Sequence, residues 1–419
     1  MEPLRFTVIG LGGYGLIHIE AVRWLASLGL GRLAGVVALE ADRQARPEVA
    51  RALQQDGVIL YDSVKQFLKD GIEATDVLTV PIGIHAHVPV SSAALKAGLD
   101  VYCEKPVAAT IQEVDALLET EKDTGNTVAI GFQHIFSNSM RQIKKRIVDG
   151  RLGPVRHLEL FCGWPRSLAY YSRNEWTGRL KLGKDWILDS PANNANAHYV
   201  MNALYLSSPL AGIAAVPARI HAELYRGNDI EGPDTVQMRI GCTEGAEIHI
   251  ILTHANWYVN GPRMTMHCEH GTAYWQTDLG KTLIRYTSGR TEEFNNLVHE
   301  QWRFEGFRDL VEAIREGRPS LCPTRLARAH TLAINAMHES CTQVVAVPPE
   351  YLSDEEDWEM FPKTTRAQFR RINDLDEYLA VALAEDVMLS ELGIPWARPG
   401  ASSVFAIDDY HSFPSRPRS

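Results

Sequence analysis

No two of the six cysteines, at 103, 162, 242, 268, 322 and 341, stand at the C-x-x-C spacing of a zinc ribbon or redox dithiol. Buried, reduced thiols in a reducing, cytoplasmic compartment are the expectation. No apolar run approaches the ~20 residues of a membrane-spanning helix. Serines and two prolines break the nearest one, 204–220. The first strand-like residues begin within six of Met1, so no signal peptide is expected. Basic residues are too few for a nucleic-acid partner: 42 Lys and Arg against 52 Asp and Glu give a formal charge of −10. HExxH and GxSxG are both missing, and His85 with His87 is only a pair, so no metal site and no serine nucleophile are expected. There is no internal repeat and no low-complexity segment.

What is present is 419 residues, 45% of them apolar, enough for two or three domains with real cores. A strand-like run, 6–9, leads into Gly10-Leu11-Gly12-Gly13-Tyr14-Gly15. A helical pattern covers 16–28, and a second strand, 35–39, ends in Glu40. That order is a device for a dinucleotide. Gly10 permits the tight turn, Gly12 lets backbone approach a pyrophosphate, and Gly15 lets helix pack on strand. Free N–H groups at the helix start meet the phosphates, and Glu40 accepts from a ribose hydroxyl. A carboxylate there favours NAD over NADP, although Arg43, three residues on, offers a partner for a 2′-phosphate.

Strand and helix signals alternate to about residue 130. They include strands at 76–80 and 100–103, and Thr110 with Glu113 as a capping box. This predicts a doubly wound parallel sheet over 1–132. Strands at 155–161, 219–225, 235–240, 247–253, 264–269, 272–276 and 282–286 then show period-two alternation, which predicts a mostly antiparallel sheet in an α+β domain over 133–348. Val347-Pro348-Pro349 marks the start of an extension, 349–419. It contains a helix carrying Leu375, Leu379, Leu383 and Leu389, and reads as a packed extension or an oligomer clasp.

Chemistry-bearing residues stand just past the strand ending at Cys103: Glu104-Lys105-Pro106. Ligands of open parallel sheets bind beyond the carboxyl ends of strands, which puts Lys105 beside the expected nicotinamide. The ordered set of the glycine turn, Val80-Pro81 with His85, 93–98, 101–106, Gly131-Phe132 and 150–153 resembles the glucose–fructose oxidoreductase/inositol dehydrogenase (Gfo/Idh/MocA) family over about residues 5 to 347. The resemblance implies an NAD(P)-dependent oxidoreductase. Gly10, Gly12, Gly13, Tyr14, Gly15, Glu40, Pro81, His85, Glu104 and Lys105 would bind cofactor, and the second-domain sheet would pair subunits into a homodimer or homotetramer.

The family carries an Asp followed four residues later by a His. The matching stretch holds Asn194 and His198, with Asn196 in place of a usual Gly. The resemblance makes His198 and Lys105 catalytic, with both 194 and 198 on one helix face. An imidazole suits a general base at neutral pH, and an ammonium steadies the substrate oxygen. Asn194 can hold a hydroxyl but cannot act as a base. Trp164, Arg166, Arg173 and Trp176 are types that pack on and hydrogen-bond a pyranose, and the arginines equally suit a carboxylate, phosphate or sulfonate. The leading expectation is oxidation of a sugar, a cyclitol or a derivative at a CH–OH carbon. Alternatives are an NAD-dependent glycosidase that oxidises its sugar transiently, and a non-catalytic sugar and dinucleotide sensor.

Overall fold

The computed structural model describes residues 2–277, 280–359, 365–398 and 401–415. The chain forms two compact units: Met1–Phe136 with His299–Arg328, and Ser137–Val298 with Ala329–Ser419.

The first unit contains β1 (Leu4–Ile9), α1 (Tyr14–Ser27), β2 (Gly31–Val37), α2 (Glu40–Ala45), α3 (Pro47–Gln55), β3 (Ile59–Tyr61), α4 (Val64–Asp70), β4 (Val77–Val80), α5 (Ile84–Lys96), β5 (Asp100–Cys103), α6 (Ile111–Thr124) and β6 (Val128–Ile130). The six strands pair in parallel in the order β3-β2-β1-β4-β5-β6. This is the doubly wound sheet of a Rossmann fold, with its order reversing between β1 and β4. Thr110 and Glu113 form the capping box that opens α6. Residues 299–328 return to this unit, which the reading of 133–348 as one stretch misses. There α10 (Glu305–Glu316) buries Phe307, Leu310 and Val311 in the core of Phe6, Val36 and Tyr102. The rings of Tyr102 and Phe307 stack with centroids 3.9 Å apart.

The second unit contains α7 (Asn138–Val148), β7 (Val155–Gly163), α8 (Leu168–Ser172), a small hairpin of β8 (Lys181–Leu182) and β9 (Asp185–Trp186), then α9 (Ala197–Ser207). Seven strands follow: β10 (Pro217–Arg226), β11 (Thr235–Cys242), β12 (Glu247–Thr253), β13 (Asn260–Cys268), β14 (Gly271–Gln276), β15 (Lys281–Tyr286) and β16 (Thr291–Asn295). The unit boundary at 328/329 falls inside α11 (Thr324–Ser340), after which come β17 (Val345–Ala346), β18 (Leu352–Trp358), β19 (Arg366–Ile372), α12 (Leu375–Ala384) and β20 (Phe405–Ala406). The large sheet runs β16-β15-β14-β13-β7-β12-β11-β10-β17. It is antiparallel except at β7–β12 and β10–β17.

The extension belongs to this unit and covers one face of the sheet. Leu375, Leu379, Leu389, Ile394 and Trp396 pack on Phe161, Tyr225 and Ile251. Leu389 lies in a separate 3-10 turn after α12, not in the same helix. Sheet side chains satisfy the irregular backbone between them: Gln237 donates to Val387 O at 2.8 Å and accepts from Leu389 N–H at 2.7 Å. Asp386 meets the buried His249 ring at 2.7 Å. Among the described residues no helix is long and apolar enough to cross a membrane.

Candidate functional site

In the first unit the glycine turn has the backbone its sequence requires. Gly10 and Gly13 adopt φ of 98° and 52°, where only glycine is unstrained. A Cβ on Gly15 would lie 2.5 Å from Gly10 O, so α1 starts directly against β1. A Cβ on Gly12 would lie 3.1 Å from the Arg46 guanidinium. The cradle fits a pyrophosphate: open backbone at Gly10 and Gly13, a guanidinium against Gly12, and the free N–H groups that open α1. Tyr14 is the first residue of α1 and is 44% exposed.

The strand β2 stops at Val37, two residues sooner than its sequence suggests. Glu40 opens α2 instead of ending the strand, and its side chain is exposed, accepting from Gln44 at 2.9 Å. Arg43 is engaged with Asp62 and, at 3.6 Å, Glu40. Arg46, which the sequence does not single out, makes no ion pair among the described residues and lies on the glycine turn. Its position makes it a candidate partner for a dinucleotide phosphate. Replacing Arg46 with alanine is expected to weaken NAD binding about 10–100-fold, the equivalent of a charged hydrogen bond of about 1.5–3 kcal/mol. Calorimetric titration with NAD measures this, and an unchanged Kd would remove Arg46 from the site.

The ends of β4 and β5 carry the other first-unit candidates. Buried His87 ties them together, its ring nitrogens 2.8 Å from Pro106 O and 2.9 Å from Ile82 O. Pro81 and His85 lie on the β4 side, and Gly83 leaves room for the His85 ring. Lys105 is half-buried directly after β5. Glu104 turns inward: its carboxylate accepts from Lys105 N–H at 3.2 Å and meets His18 Nε2 at 3.1 Å. Gly131 supplies the space, since a Cβ there would lie 2.6 Å from Glu104 Oε1. Glu104 thus fixes the Lys105 backbone.

A second residue unforeseen from sequence is His134. Burial, and then the charge of Lys105, bring its imidazole down to about 4, which keeps it neutral beside that ammonium. Its ring stands edge-on to Trp302, 5.0 Å away, on the segment that returns to this unit.

In the second unit His198 sits in the first turn of α9, 6% exposed. Every residue of α9 is buried, and buried Lys144 from α7 caps its C-terminus by donating to Tyr205 O and Ser208 O at 2.6 Å. Asn194 does not share that helix: α9 begins at Ala197, and Asn194 lies in the preceding turn, its N–H on Ser190 O at 3.0 Å. Its amide donates to Asp189 Oδ1 at 2.9 Å. Buried Asp189, five residues earlier, thus holds the Asn194 amide, and its other oxygen accepts from Gly178 N–H at 2.5 Å. Leu188, just before it, holds φ of 53°, a strained conformation for a branched side chain.

The remaining candidates form one cluster. The guanidinium carbons of Arg166 and Arg173 lie 4.7 and 3.8 Å from the centroid of the Tyr170 ring. Arg166 reaches on to Trp164 at 5.7 Å, and Arg173 to Trp176 at 5.9 Å. These are cation–π distances. Trp164 stands edge-on to Tyr199, the neighbour of His198, at 5.7 Å, and donates its indole N–H to Gly261 O. His254 joins the same cluster. Burial, with the charge of Arg166, holds it well below the ordinary histidine range, so a neutral ring bonds Trp164 O through Nδ1. Asp189, Tyr170 and His254 line one small pocket.

A parallel β3-β2-β1-β4-β5-β6 sheet with a glycine cradle at α1 defines an NAD-binding Rossmann unit. Residues 4–132 match the model of the GFO/IDH/MocA oxidoreductase family, NAD-binding Rossmann fold, and residues 140–274 match the GFO/IDH/MocA C-terminal domain. The chain belongs to this oxidoreductase family. It is 28% identical over 155 residues to an inositol 2-dehydrogenase from Rhizobium meliloti (strain 1021), a match covering 36% of this chain and 43% of that protein. The chain therefore aligns with less than half the length of that relative. Its fold resembles the WlbA dehydrogenase from Bordetella pertussis in complex with NADH and UDP-GlcNAcA (TM-score 0.64, 18% identity, 81% of this chain and 96% of that one). It also resembles a levoglucosan dehydrogenase in complex with NADH and L-sorbose (TM-score 0.69, 17% identity, 82% and 97%).

Proposed function

We propose that the protein is an NAD-dependent dehydrogenase of a sugar, a cyclitol or a close derivative, acting at a CH–OH carbon. The observation that carries this reading is Lys105, half-buried at the carboxyl edge of an NAD-binding sheet and fixed there by Glu104 and His18. NAD, when bound, supplies the hydride acceptor. The glycine turn and Arg46 would hold its phosphates.

Lys105 then donates to the substrate oxygen and steadies the negative charge that develops on it. His198 takes the hydroxyl proton as general base. Asn194 orients a neighbouring hydroxyl, with its amide aligned by Asp189. Trp164 and Trp176 present apolar faces, and Arg166 and Arg173 present donors, to the rest of the ring. The inositol, levoglucosan and UDP-sugar proteins that this chain resembles support the substrate class. A cytoplasmic location and a homodimer or homotetramer belong to the same proposal.

Incubating the protein with NAD and a panel of hexoses, sugar acids and inositols is expected to build up NADH stoichiometrically with a keto product. Release of an aglycone without any NADH would assign it instead to redox-neutral glycosidic cleavage. Binding without any product would make it a sensor.

A further inference from the structure

A groove of about 600 Å³ opens on the second unit between α8 with the loop to Arg179, the turn after β10, and Arg370 on β19. Its volume lies within the roughly 300–1,000 Å³ of small-ligand sites. Its charged lining is mixed: Arg179, Arg226 and Arg370 against Glu175, Asp229 and Glu231. Two of the arginines are engaged, Arg179 with Glu231 at 2.9 Å and Arg370 with Asp354 at 2.7 Å. Arg226 makes no ion pair among the described residues.

Asn228, 4% exposed, also lines the groove. Its Nδ2 and its backbone N–H both donate to Asp234 Oδ2 at 2.8 Å. Asp234 therefore fixes the amide orientation and leaves Oδ1 as a buried acceptor without a donor. Tyr171 contributes a buried hydroxyl, likewise without a partner among the described residues. Buried polar groups left this way are costly unless a ligand or water completes them.

The groove thus offers a free guanidinium and carboxylates together, with an amide oxygen and a hydroxyl buried in the residues of its wall. A phosphate or sulfate, being an anion, would face the like charge of three carboxylates, Glu175, Asp229 and Glu231. A sugar hydroxyl both donates and accepts, and suits the guanidinium and the carboxylates alike. The groove also shares a wall with the proposed site. Gly178 lines it, and the Gly178 N–H bonds the same Asp189 carboxylate that holds Asn194.

We infer that this groove is a second sugar subsite, and that the substrate carries more than one ring: a glycoside or short oligosaccharide with one ring at Asn194 and the next in the groove. This rests on the carbohydrate reading above. The test titrates full-length protein, and its Arg226→Met variant, with glucose, galactose, cellobiose, maltose and lactose by calorimetry and saturation-transfer NMR. Inorganic phosphate is a further probe, and NADH formation is followed in parallel. At least one disaccharide is expected to bind about tenfold more tightly than its monosaccharide. Arg226→Met should erase that gain while leaving monosaccharide affinity within about twofold, since a charged hydrogen bond is worth at least a factor of that size. Monosaccharides oxidised with no gain from a second ring, or a gain untouched by Arg226→Met, would overturn the subsite and leave the dehydrogenase reading standing. Phosphate binding that depends on Arg226, with no disaccharide binding, would make it an anion site. Sugars of neither size binding or being oxidised would overturn both.

Discussion

Replacing Lys105 with alanine is expected to lower kcat about 10²–10⁴-fold while leaving NAD affinity within a few-fold, and His198→Ala should do the same. Positioned proton-transfer groups contribute about that much to turnover. In the proposed mechanism the two substitutions act on chemistry, and neither side chain belongs to the pyrophosphate cradle, which is built from the glycine turn and the start of α1. Lys105→Arg should not restore activity: a guanidinium keeps the charge but not the compact ammonium that fits against a single oxygen. NAD titration together with steady-state rates separates the outcomes. A variant with full turnover and weakened NAD binding would make Lys105 a cofactor ligand only. His198→Ala at full rate would place the base elsewhere, and His134 and Asp189 are the next groups to examine.

Truncation after residue 348 is expected to yield a second unit that does not fold stably. The extension buries Leu375, Leu379, Leu389, Ile394 and Trp396 on the sheet, and removing it would leave Phe161, Tyr225 and Ile251 facing water. Each large apolar side chain is worth about 1.5–3 kcal/mol when buried, against a typical total stability of about 5–15 kcal/mol. Glu223, fully buried, would also lose the Ser390 N–H that donates to it at 3.1 Å. A milder form of the test is Leu379→Ala, at a cost of about 2–5 kcal/mol by chemical denaturation. A truncated chain that unfolds cooperatively at the full-length midpoint would show the extension to be a loosely attached appendage.

The parts legible in the sequence are those governed by local rules. The strand–glycine–helix order was legible because Gly10, Gly13 and Gly15 each answer to a φ value or a close approach within six residues. The Thr110 capping box is likewise local. Strands of the second sheet were legible through alternation, and β16, β17 and β20 were missed: β16 is an edge strand of alternating half-buried and exposed residues with little apolar signal, and the other two are only two residues long.

What stayed hidden depends on distant partners. Asp189 carries no motif, and only the turn before α9 brings it to Asn194. His134 matters through Lys105 and Trp302, and the latter returns to the first unit 168 residues later in the chain (302 − 134). Arg46 was passed over in favour of Arg43 because the spacing could not show that Asp62 already holds Arg43. The leucines of α12 announced an apolar face without naming the sheet that it covers.

The most direct test is a double-mutant cycle on turnover with Lys105→Ala, His198→Ala and both together. Two groups that act on one hydroxyl in one step are strongly non-additive, so the double variant should be about as slow as the slower single variant. Losses that simply multiply, as they do for independent sites, would contradict a shared role in the same proton and charge transfer.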